Sequence, residues 1–502
     1  MVSAVPVRQA APWESVPAKD QLFVLITGAN SGVGLGIAQR LIDEFLSTRS
    51  LSSHLVLIPT TRSAAKSLET IRTLRAYAEH AAQNTPSLRA RAGGDASYRW
   101  QDTVARIHVL SPSLDLCDLP GVYAFADALC HGLVSNPAGL DGEYLRNVRL
   151  PRIDSVVFNA AYGAWSGVNW LGCALMFFRD GLIDMATYPD FKIALPTRLL
   201  NEQSQYNYPA KPLLGEVFTA CVFGHYILAR QLSPLLSRDA DSSVAPGRII
   251  WTSSVEAHKK TFRMDDIQCL ERPISYESAK RLTDILALSS TLPSVRPIST
   301  PYLRLPSLAD VSSTASSSGK TTPSTSSTEV DTPVSSSSPS SAKPPKIYLS
   351  HPGVIATTLF PCPWFLMWAY RLVLVICRYI GSAWHTVDSY PSASSVTWLV
   401  LQEQSALDAA QAQRVKWGSS SNRACESLVK KTEVEGWGWE GRVEDAKLDT
   451  TPGIANKAKG RRVQATDVTE EELVEFEEQG LACWREMERM RLRWEDIIAD
   501  DL

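Results

Sequence analysis

An apolar run of β-forming residues, Leu22 to Thr27 (LFVLIT), ends in a glycine-rich turn that opens directly into an apolar-periodic segment, Ile37 to Phe45. The spacing predicts a strand, a tight turn and a helix in immediate succession. The turn reads Thr27-Gly28-Ala29-Asn30-Ser31-Gly32-Val33-Gly34. In that context Gly28 permits the turn, Gly32 lets backbone approach a pyrophosphate, and Gly34 lets the helix pack closely, with the phosphate near the helix N-terminus. The G-K-[ST] ending of a P-loop is absent, which disfavours a nucleotide hydrolase.

The pattern then repeats along the chain. Leu55–Ile58, Arg106–Leu110, Ser155–Phe158, Arg248–Thr252 and Lys346–Ser350 read as further strands, with helical stretches at Glu216–Leu236 and Ser275–Leu288. Alternating strands and helices predict an α/β protein. Right-handed crossovers then give a doubly wound parallel sheet of Rossmann-like form, covered on both faces.

A length of 502 residues would ordinarily imply two domains or more. Insertions explain the excess here: the sequence divides into a polar leader at 1–21, one nucleotide-binding domain at 22–400 and a C-terminal extension at 401–502. Within the domain, residues 77–103 are polar and turn-rich and read as a surface insertion. Residues 311–345 are dominated by Ser and Thr, cannot bury enough surface to offset chain entropy, and read as a disordered insertion. Residues 359–387 form an apolar segment. Its centre, Trp364–Cys377, is apolar apart from Arg371 and would span only about 21 Å as a helix against ~30 Å of hydrocarbon. That length argues for a lid or a segment lying in a membrane surface, where Trp364, Trp368, Tyr370, Tyr379 and Trp384 suit the headgroup boundary and Arg371 and Arg378 can snorkel. In the extension, Thr469–Glu472 reads as a capping box ahead of Leu473, Phe476, Trp484, Met487, Trp494 and Ile498, a terminal helix expected to dock on the body.

Composition excludes several classes. The net charge of −3, from 50 Lys+Arg against 53 Asp+Glu, gives no basic footprint for nucleic acid. Nine scattered cysteines without a C-x-x-C pair support neither a disulfide framework nor a metal module. The leader lacks the basic and apolar regions of a secretory signal.

Two sites carry chemistry. At the end of the second strand, where an acid would read a free ribose 2′-hydroxyl, the chain has Thr60-Thr61-Arg62-Ser63 and then Lys66. Arg62 therefore points to NADP(H) over NAD(H), the alternative being a solvated loop arginine. Tyr276 and Lys280, four apart on one helical face, follow a strand ending in Thr252-Ser253-Ser254. A nearby ammonium favours phenolate, so Lys280 is expected to draw the tyrosine pKa down from about 10 and let Tyr276 exchange a proton with a carbonyl oxygen.

Together these elements resemble the short-chain dehydrogenase/reductase superfamily, from about residue 22 to 360. The strings FNAAYGAW, FTACVFGHYIL, RIIWTSSVEAHK, YESAKRLTD, YLSHPGVIATTLF and TEVEGWGWEGR are similar, within it, to the fungal 3-keto-steroid reductases of sterol C-4 demethylation. The resemblance implies NADPH-dependent reduction of a sterol 3-oxo group, with Tyr276 as proton donor, Lys280 on the ribose and Ser254 on the carbonyl oxygen. Ser253 is the alternative to Ser254, because the spacing to Tyr276 is longer than usual. Asp115 and Leu116 fall on the adenine side, Asn159 where the family has N-A-G, and Pro352, Gly353, Val354 and Thr357 on the nicotinamide side. It also implies work at the endoplasmic reticulum membrane and lipid droplets among other ergosterol-pathway proteins. One departure stands out: the superfamily's catalytic asparagine is replaced by Cys221 in Cys221-Val-Phe-Gly224. The other readings are reduction of a different lipophilic ketone, at another steroid position or on an acyl chain, and a weakly active cofactor-binding scaffold.

Overall fold

The computed structural model describes residues 7–94, 98–140, 144–200, 212–304, 342–357, 359–360, 362–443, 460–461 and 466–501. The first apolar run is strand β1, Gln21–Thr27, and the periodic segment after the turn is helix α1, Gly32–Thr48. β2 (His54–Thr60), α2 (Ala64–Asn84), β3 (Ile107–Val109), α3 (Leu119–Cys130) and β4 (Ser155–Phe158) follow in the expected alternation. β1 lies between β2 and β4, parallel to both, and pairs with β2 from Gln21↔His54 to Thr27↔Thr60. Phe23, Val24, Leu25 and Ile26 are all fully buried, as a parallel strand with helices on both faces must be.

The chain then leaves the sheet for a hairpin, β5 (Trp165–Val168) and β6 (Lys192–Ala194), which holds helix α4, Trp170–Thr187, between its strands. It returns through Glu216–Phe218, a π turn at Thr219–Phe223 and helix α5, Gly224–Gln231. β7 (Arg248–Thr252), α6 (Ser275–Ser289) and β8 (Lys346–His351) complete the expected set. Two cores result, one per face of the sheet. Val24, Ile26, Leu55 and Leu57 meet α1 and α2 on one side. Phe23, Leu25, Val56 and Ile58 share the other with α5 and α6.

Four expectations are revised. Residues 77–103 are helical more than turn-rich: α2 runs on to Asn84, Pro86–Arg91 and Trp100–Val104 are short helices, and Ala78, Ala81, Ala82 and Leu88 are buried. The alanines give the segment an apolar stripe that its polar average hides. The sheet does not end at residue 400. β11 (Lys416–Ser421) runs parallel beside β8 and β12 (Ser427–Thr432) antiparallel beside β11, so eight strands stand in the order β12-β11-β8-β7-β4-β1-β2-β3. Within 359–387, helix α7 (Met367–Tyr379) is followed by a short strand, β10 (His385–Val387), paired with β9 (Val354–Ile355). Trp384 is therefore buried, its Nε1 donating to Gly460 O at 2.7 Å, and does not join the surface aromatics. Arg371 pairs with Asp388 at the surface.

Of the Ser/Thr-rich insertion at 311–345, residues 311–341 lie outside the described residues; Lys343 bridges to Arg238 just before β8. Most of the connector between β12 and the last helix also lies outside them. That last helix, α8 (Glu470–Asp501), starts with the capping box: Thr469 N donates to Glu472 Oε2 at 3.1 Å and Glu472 N to Thr469 Oγ1 at 3.3 Å. Phe476, Trp484, Met487, Trp494 and Ile498 are buried against α5 and α6, with Trp484 Nε1 donating to Leu286 O at 3.1 Å.

Candidate active site

The glycine turn is shaped by steric demand at two positions. Gly28 has φ +65°, and a Cβ there would stand 2.9 Å from Ala160 Cα. A Cβ on Gly34 would meet Gly28 O at 2.5 Å and Asn159 Nδ2 at 2.6 Å. Gly32 also has a positive φ, +53°, but a Cβ there would meet nothing within 4 Å: its outer side is open. Free space over a helix N-terminus whose amides point outward fits a pyrophosphate. Asn30, Ser31 and Val33 form the outer rim of this turn. Asn159 Nδ2 braces it by donating to Thr27 O at 3.1 Å and Gly28 O at 3.3 Å.

Thr27 is fully buried and accepts at Oγ1 from Asn159 N and Ala160 N, both at 3.0 Å. Its own hydrogen points to His225, whose Nε2 lies at 2.8 Å. The opposite nitrogen, Nδ1, is 3.2 Å from Cys221 O, which can only accept, so the ring carries its proton on Nδ1 and is neutral. Burial holds His225 down to about 3, in keeping with that tautomer. Sequence reading missed His225; its only signal is the short helical spacing from Cys221.

Arg62 and Lys66 are exposed beyond the end of β2, where an adenosine ribose would be read, and Ser63 Oγ caps α2 by accepting from Lys66 N at 3.4 Å. Asp115 and Leu116 follow β3, with the Leu116 carbonyl against Gly224 of α5. Pro352, Gly353, Val354 and Thr357 follow β8; Gly353 has φ +76° and a Cβ on it would strike Trp384 O at 2.4 Å. All these segments leave the C-terminal ends of parallel strands, where open α/β sheets bind ligands.

Tyr276 sits in the first turn of α6 and is buried, with the edge of Trp165 on its ring at 4.7 Å between centroids. The Ser254 side chain stands beside its hydroxyl and works to lower its pKa, while Ser254 Oγ accepts from Glu256 N at 3.2 Å. The two candidate serines are now distinguished: Ser253 is buried and donates to Asp284 Oδ1 at 2.5 Å, leaving Ser254 as the one that faces Tyr276. Lys280 lies 5.6 Å from the Tyr276 ring centroid and donates to Thr252 O at 2.7 Å. The expected direction of the tyrosine shift is reversed. Burial, reinforced by Glu256 and Glu277, pushes the phenol well above its usual value, and burial lowers Lys280. A desolvated phenol flanked by carboxylates stays protonated, which is the state a proton donor needs.

Those carboxylates belong to a cluster that sequence reading did not find. Lys192 Nζ, from β6, lies 2.5 Å from Glu256 Oε2 and 2.6 Å from Glu277 Oε1, and 3.9 Å from the Trp165 ring centroid. It forms the inner wall of a cavity of about 690 Å³, which Met176, Tyr188, Ile274 and Pro273 also line and which Arg179 and Asp184 edge. The hairpin between β4 and the π turn builds this wall. It carries no motif, because its charges meet only after folding.

Cys221, in place of the superfamily's asparagine, is in the π turn, the kind of helix defect found often at functional sites. Its Sγ accepts from Tyr162 N at 3.5 Å and donates to Tyr162 O at 3.6 Å. Beneath Ser254 lies a further group, Lys416 of β11, which donates to Ser254 O and to Asp284 Oδ2, both at 2.7 Å.

A doubly wound parallel sheet with a serine, a tyrosine and a lysine converging beside its first glycine turn defines the class of short-chain dehydrogenases/reductases. No family model matches the chain. Among curated relatives, the 3-keto-steroid reductase ERG27 of Gibberella zeae is 57% identical over 493 residues, covering 97% of each chain. The 3-keto-steroid reductase erg27 of Aspergillus fumigatus is 36% identical over 95% of each, and that of Kluyveromyces lactis 23% identical over 88% of this chain and 97% of its own. Of solved structures, salutaridine reductase from Papaver somniferum aligns at 12% identity with a TM-score of 0.36, covering 76% of this chain and 96% of that one, a likeness too loose to carry any argument. The chain belongs to the 3-keto-steroid reductase family.

Proposed function

We propose that the protein reduces the 3-oxo group of a C-4 demethylated sterol intermediate to the 3-hydroxy sterol in ergosterol biosynthesis, with NADPH. The observation that carries the chemistry is Tyr276: buried, held protonated, with Ser254 beside its hydroxyl, Lys280 near its ring and Trp165, a wall of the cavity, packed against it. The names of the relatives supply the substrate class.

The residues fit a nicotinamide dinucleotide. The turn at Gly28, Gly32 and Gly34 would hold its pyrophosphate, Arg62 and Lys66 its 2′-phosphate, Asp115 and Leu116 its adenine side, and Asn159, Lys280 and Gly353 the nicotinamide half. When bound, that group supplies the hydride. The chain's own residues do the rest. Ser254 donates to the ketone oxygen and orients it. Tyr276 gives its proton to that oxygen as negative charge develops there, and Lys280, an ammonium in a low-dielectric pocket, stabilises the phenolate left behind. Purified enzyme given NADPH and several ketosterols tests this reading. Formation of the 3-hydroxy product alone is expected, and reduction at another position, of an acyl ketone, or no turnover above background would overturn it.

The reading extends to where the enzyme works: the cytosolic face of the endoplasmic reticulum membrane and lipid droplets, beside other sterol-pathway proteins. No helix among the described residues is long and apolar enough to cross a membrane. What supports surface attachment is that α7 packs beside α4, and the two helices with the turn that leads into α7 expose Trp170, Leu171, Leu175, Phe178, Trp364, Trp368 and Leu372. An apolar surface of this extent on one side marks an interaction site. Helices that lie in a membrane surface present such aromatic and aliphatic faces. Glu at Phe178, Trp368 and Leu372 together should leave a folded enzyme in the supernatant when microsomes are sedimented; co-sedimentation like the wild type would sink the membrane reading.

A further inference from the structure

The exit of strand β7 is held more tightly than a loop carrying one hydroxyl requires. Thr252 O accepts from Lys280 Nζ at 2.7 Å, Ser253 Oγ donates to Asp284 Oδ1 at 2.5 Å, and Ser254 O accepts from Lys416 Nζ at 2.7 Å. Lys416 also donates to Asp284 Oδ2 at 2.7 Å. Three consecutive residues are thus tied to α6, where Tyr276, Lys280 and Asp284 stand one turn apart on a single face.

The energetics of this arrangement are unusual. The side chains of Lys416 and Asp284 are 3% and 0% exposed, and burial lowers Lys416. A buried ion pair is a poor stabiliser, since the desolvation of both ions cancels most of their attraction, and apolar residues of the same volume often serve as well or better. Stability alone therefore does not explain why β11, a strand from beyond residue 400, sends an ammonium into the core. Geometry does. An apolar side chain at 416 could fill the space but could not donate to Ser254 O.

We propose that Lys416 and Asp284 are a positioning pair that fixes the Ser254 hydroxyl against Tyr276, so that the catalytic site is completed by the C-terminal extension. Both residues are buried and neither lines the cavity; they act through Ser254 and Ser253. A misplacement of about 1 Å in such a constellation can cost about 10²-fold in rate, and that sets the size of the effect. This inference rests on the assignment of Ser254 and Tyr276 given above.

The full-length enzyme with NADPH and a 3-keto sterol tests it. Turnover by the wild type tests the functional reading itself; a loss confined to the following variants tests the pair. Lys416→Met alone leaves Asp284 buried and uncompensated and is expected to lose stability. The double variant Lys416→Met/Asp284→Asn removes both charges while leaving an acceptor for Ser253. It should melt near the wild-type temperature, bind NADPH with unchanged affinity by tryptophan quenching, and show kcat reduced by about 10–100-fold with KM for the sterol little changed. Wild-type kcat in the folded double variant, or a loss matched by an equal loss of NADPH binding, would overturn the proposal. Ser253→Ala keeps the ion pair and releases only the Ser253 tether; it should lower kcat by a smaller factor. A wild-type kcat there overturns the proposal even if the double variant does not fold.

Discussion

The cofactor edge and the substrate edge of this site are built from different kinds of sequence. At the cofactor edge the turn from Thr27 to Gly34 is local. A strand, a positive φ at Gly28 and a close approach at Gly34 are dictated within eight residues, and Asn159 needs only to reach across from the neighbouring strand. At the substrate edge the groups around Tyr276 and Ser254 come mostly from far apart: Lys192 from a hairpin, Glu256 from the loop after β7 and Lys416 from a strand beyond the expected domain end, with only Glu277 a sequence neighbour. The difference shows where a motif ends. Backbone chemistry at a phosphate is carried by residue type and spacing, whereas the electrostatics around a proton donor are carried by contacts that no local spacing announces.

The sharpest test of the comparison is at the point where the two edges meet. Tyr276→Phe removes the proton donor and nothing that the glycine turn uses. Turnover should fall by about 10²–10⁴-fold, while NADPH affinity, measured by fluorescence titration, stays as in the wild type. Substantial residual activity would move the acid elsewhere, and a parallel loss of NADPH binding would show that the edges are not separable.

At the cofactor edge alone, Arg62→Asp should reverse the preference for NADPH over NADH. The arginine can fork onto a 2′-phosphate, whereas a carboxylate would repel it and accept from a free hydroxyl. A shift of about 10- to 100-fold in the ratio of kcat/KM values is expected from one charge-assisted contact. Equal use of both cofactors by the wild type would refute the assignment of Arg62.

How much of this was legible follows the same division. The six strands read from apolar runs are the six central and flanking strands of the sheet, and the capping box at Thr469 starts the last helix as written. β11 and β12 were not legible: KWGSSS lacks an apolar run because its burial comes from serines satisfied by hydrogen bonds, Ser419 to Ser392 O and Ser420 to Ala383 O, both at 2.6 Å, and SLVKKT is a sheet-edge strand of which only Thr432 is buried. The hairpin bearing α4 was passed over because it bears no strand longer than β5's four residues. At the site, the pattern singled out Tyr276, Lys280 and Ser254, which the structure places near one another. The sign of the tyrosine shift was not legible, because it depends first on burial and then on Glu256, which sequence does not place there.

The two edges should also respond in opposite senses to acid. His225 is held down to about 3 by burial, against about 6.5 when unfolded. The folded state therefore binds fewer protons below pH 6.5, and the stability that neutral His225 contributes is lost as pH falls through that range. Glu256 is raised, by burial first and then by Glu277, against the pull of Lys192. Its contribution runs the other way, present at low pH and lost as pH rises. Chemical denaturation between pH 7 and 5 should show net destabilisation on acidification, because His108, also lowered to about 3, adds to His225. His225→Gln should reduce the slope by at most about 1.4 kcal/mol per pH unit, the value for one proton. An unchanged slope would place a charged imidazole under Thr27 after all.

The smallest effect is expected at Cys221, which touches both edges. Its carbonyl orients His225 beneath the cofactor turn, while its side chain faces Tyr162 in the strand exit that leads to the substrate hairpin. In the superfamily an asparagine here would hold a relay water for the catalytic lysine. A thiol is a weak donor and acceptor and would hold such a water poorly. In this protein Sγ is already engaged at both ends of Tyr162, by its N–H at 3.5 Å and its carbonyl at 3.6 Å, and Cys221 is 2% exposed. An amide at 221 would find the same two partners, so it gains no free group with which to recruit a water. It must also place a planar, branched end where sulfur contacts are long and the wall is packed. Cys221→Asn should therefore leave kcat under saturating NADPH within a few-fold of wild type and cost stability, up to the 1–3 kcal/mol of an imperfectly satisfied buried amide. The π turn and the Lys280 contact to Thr252 O would then be sufficient without the asparagine. A Cys221→Asn enzyme that is faster and equally stable would show the reverse, that the substrate edge lacks a relay which the cofactor edge could still accept.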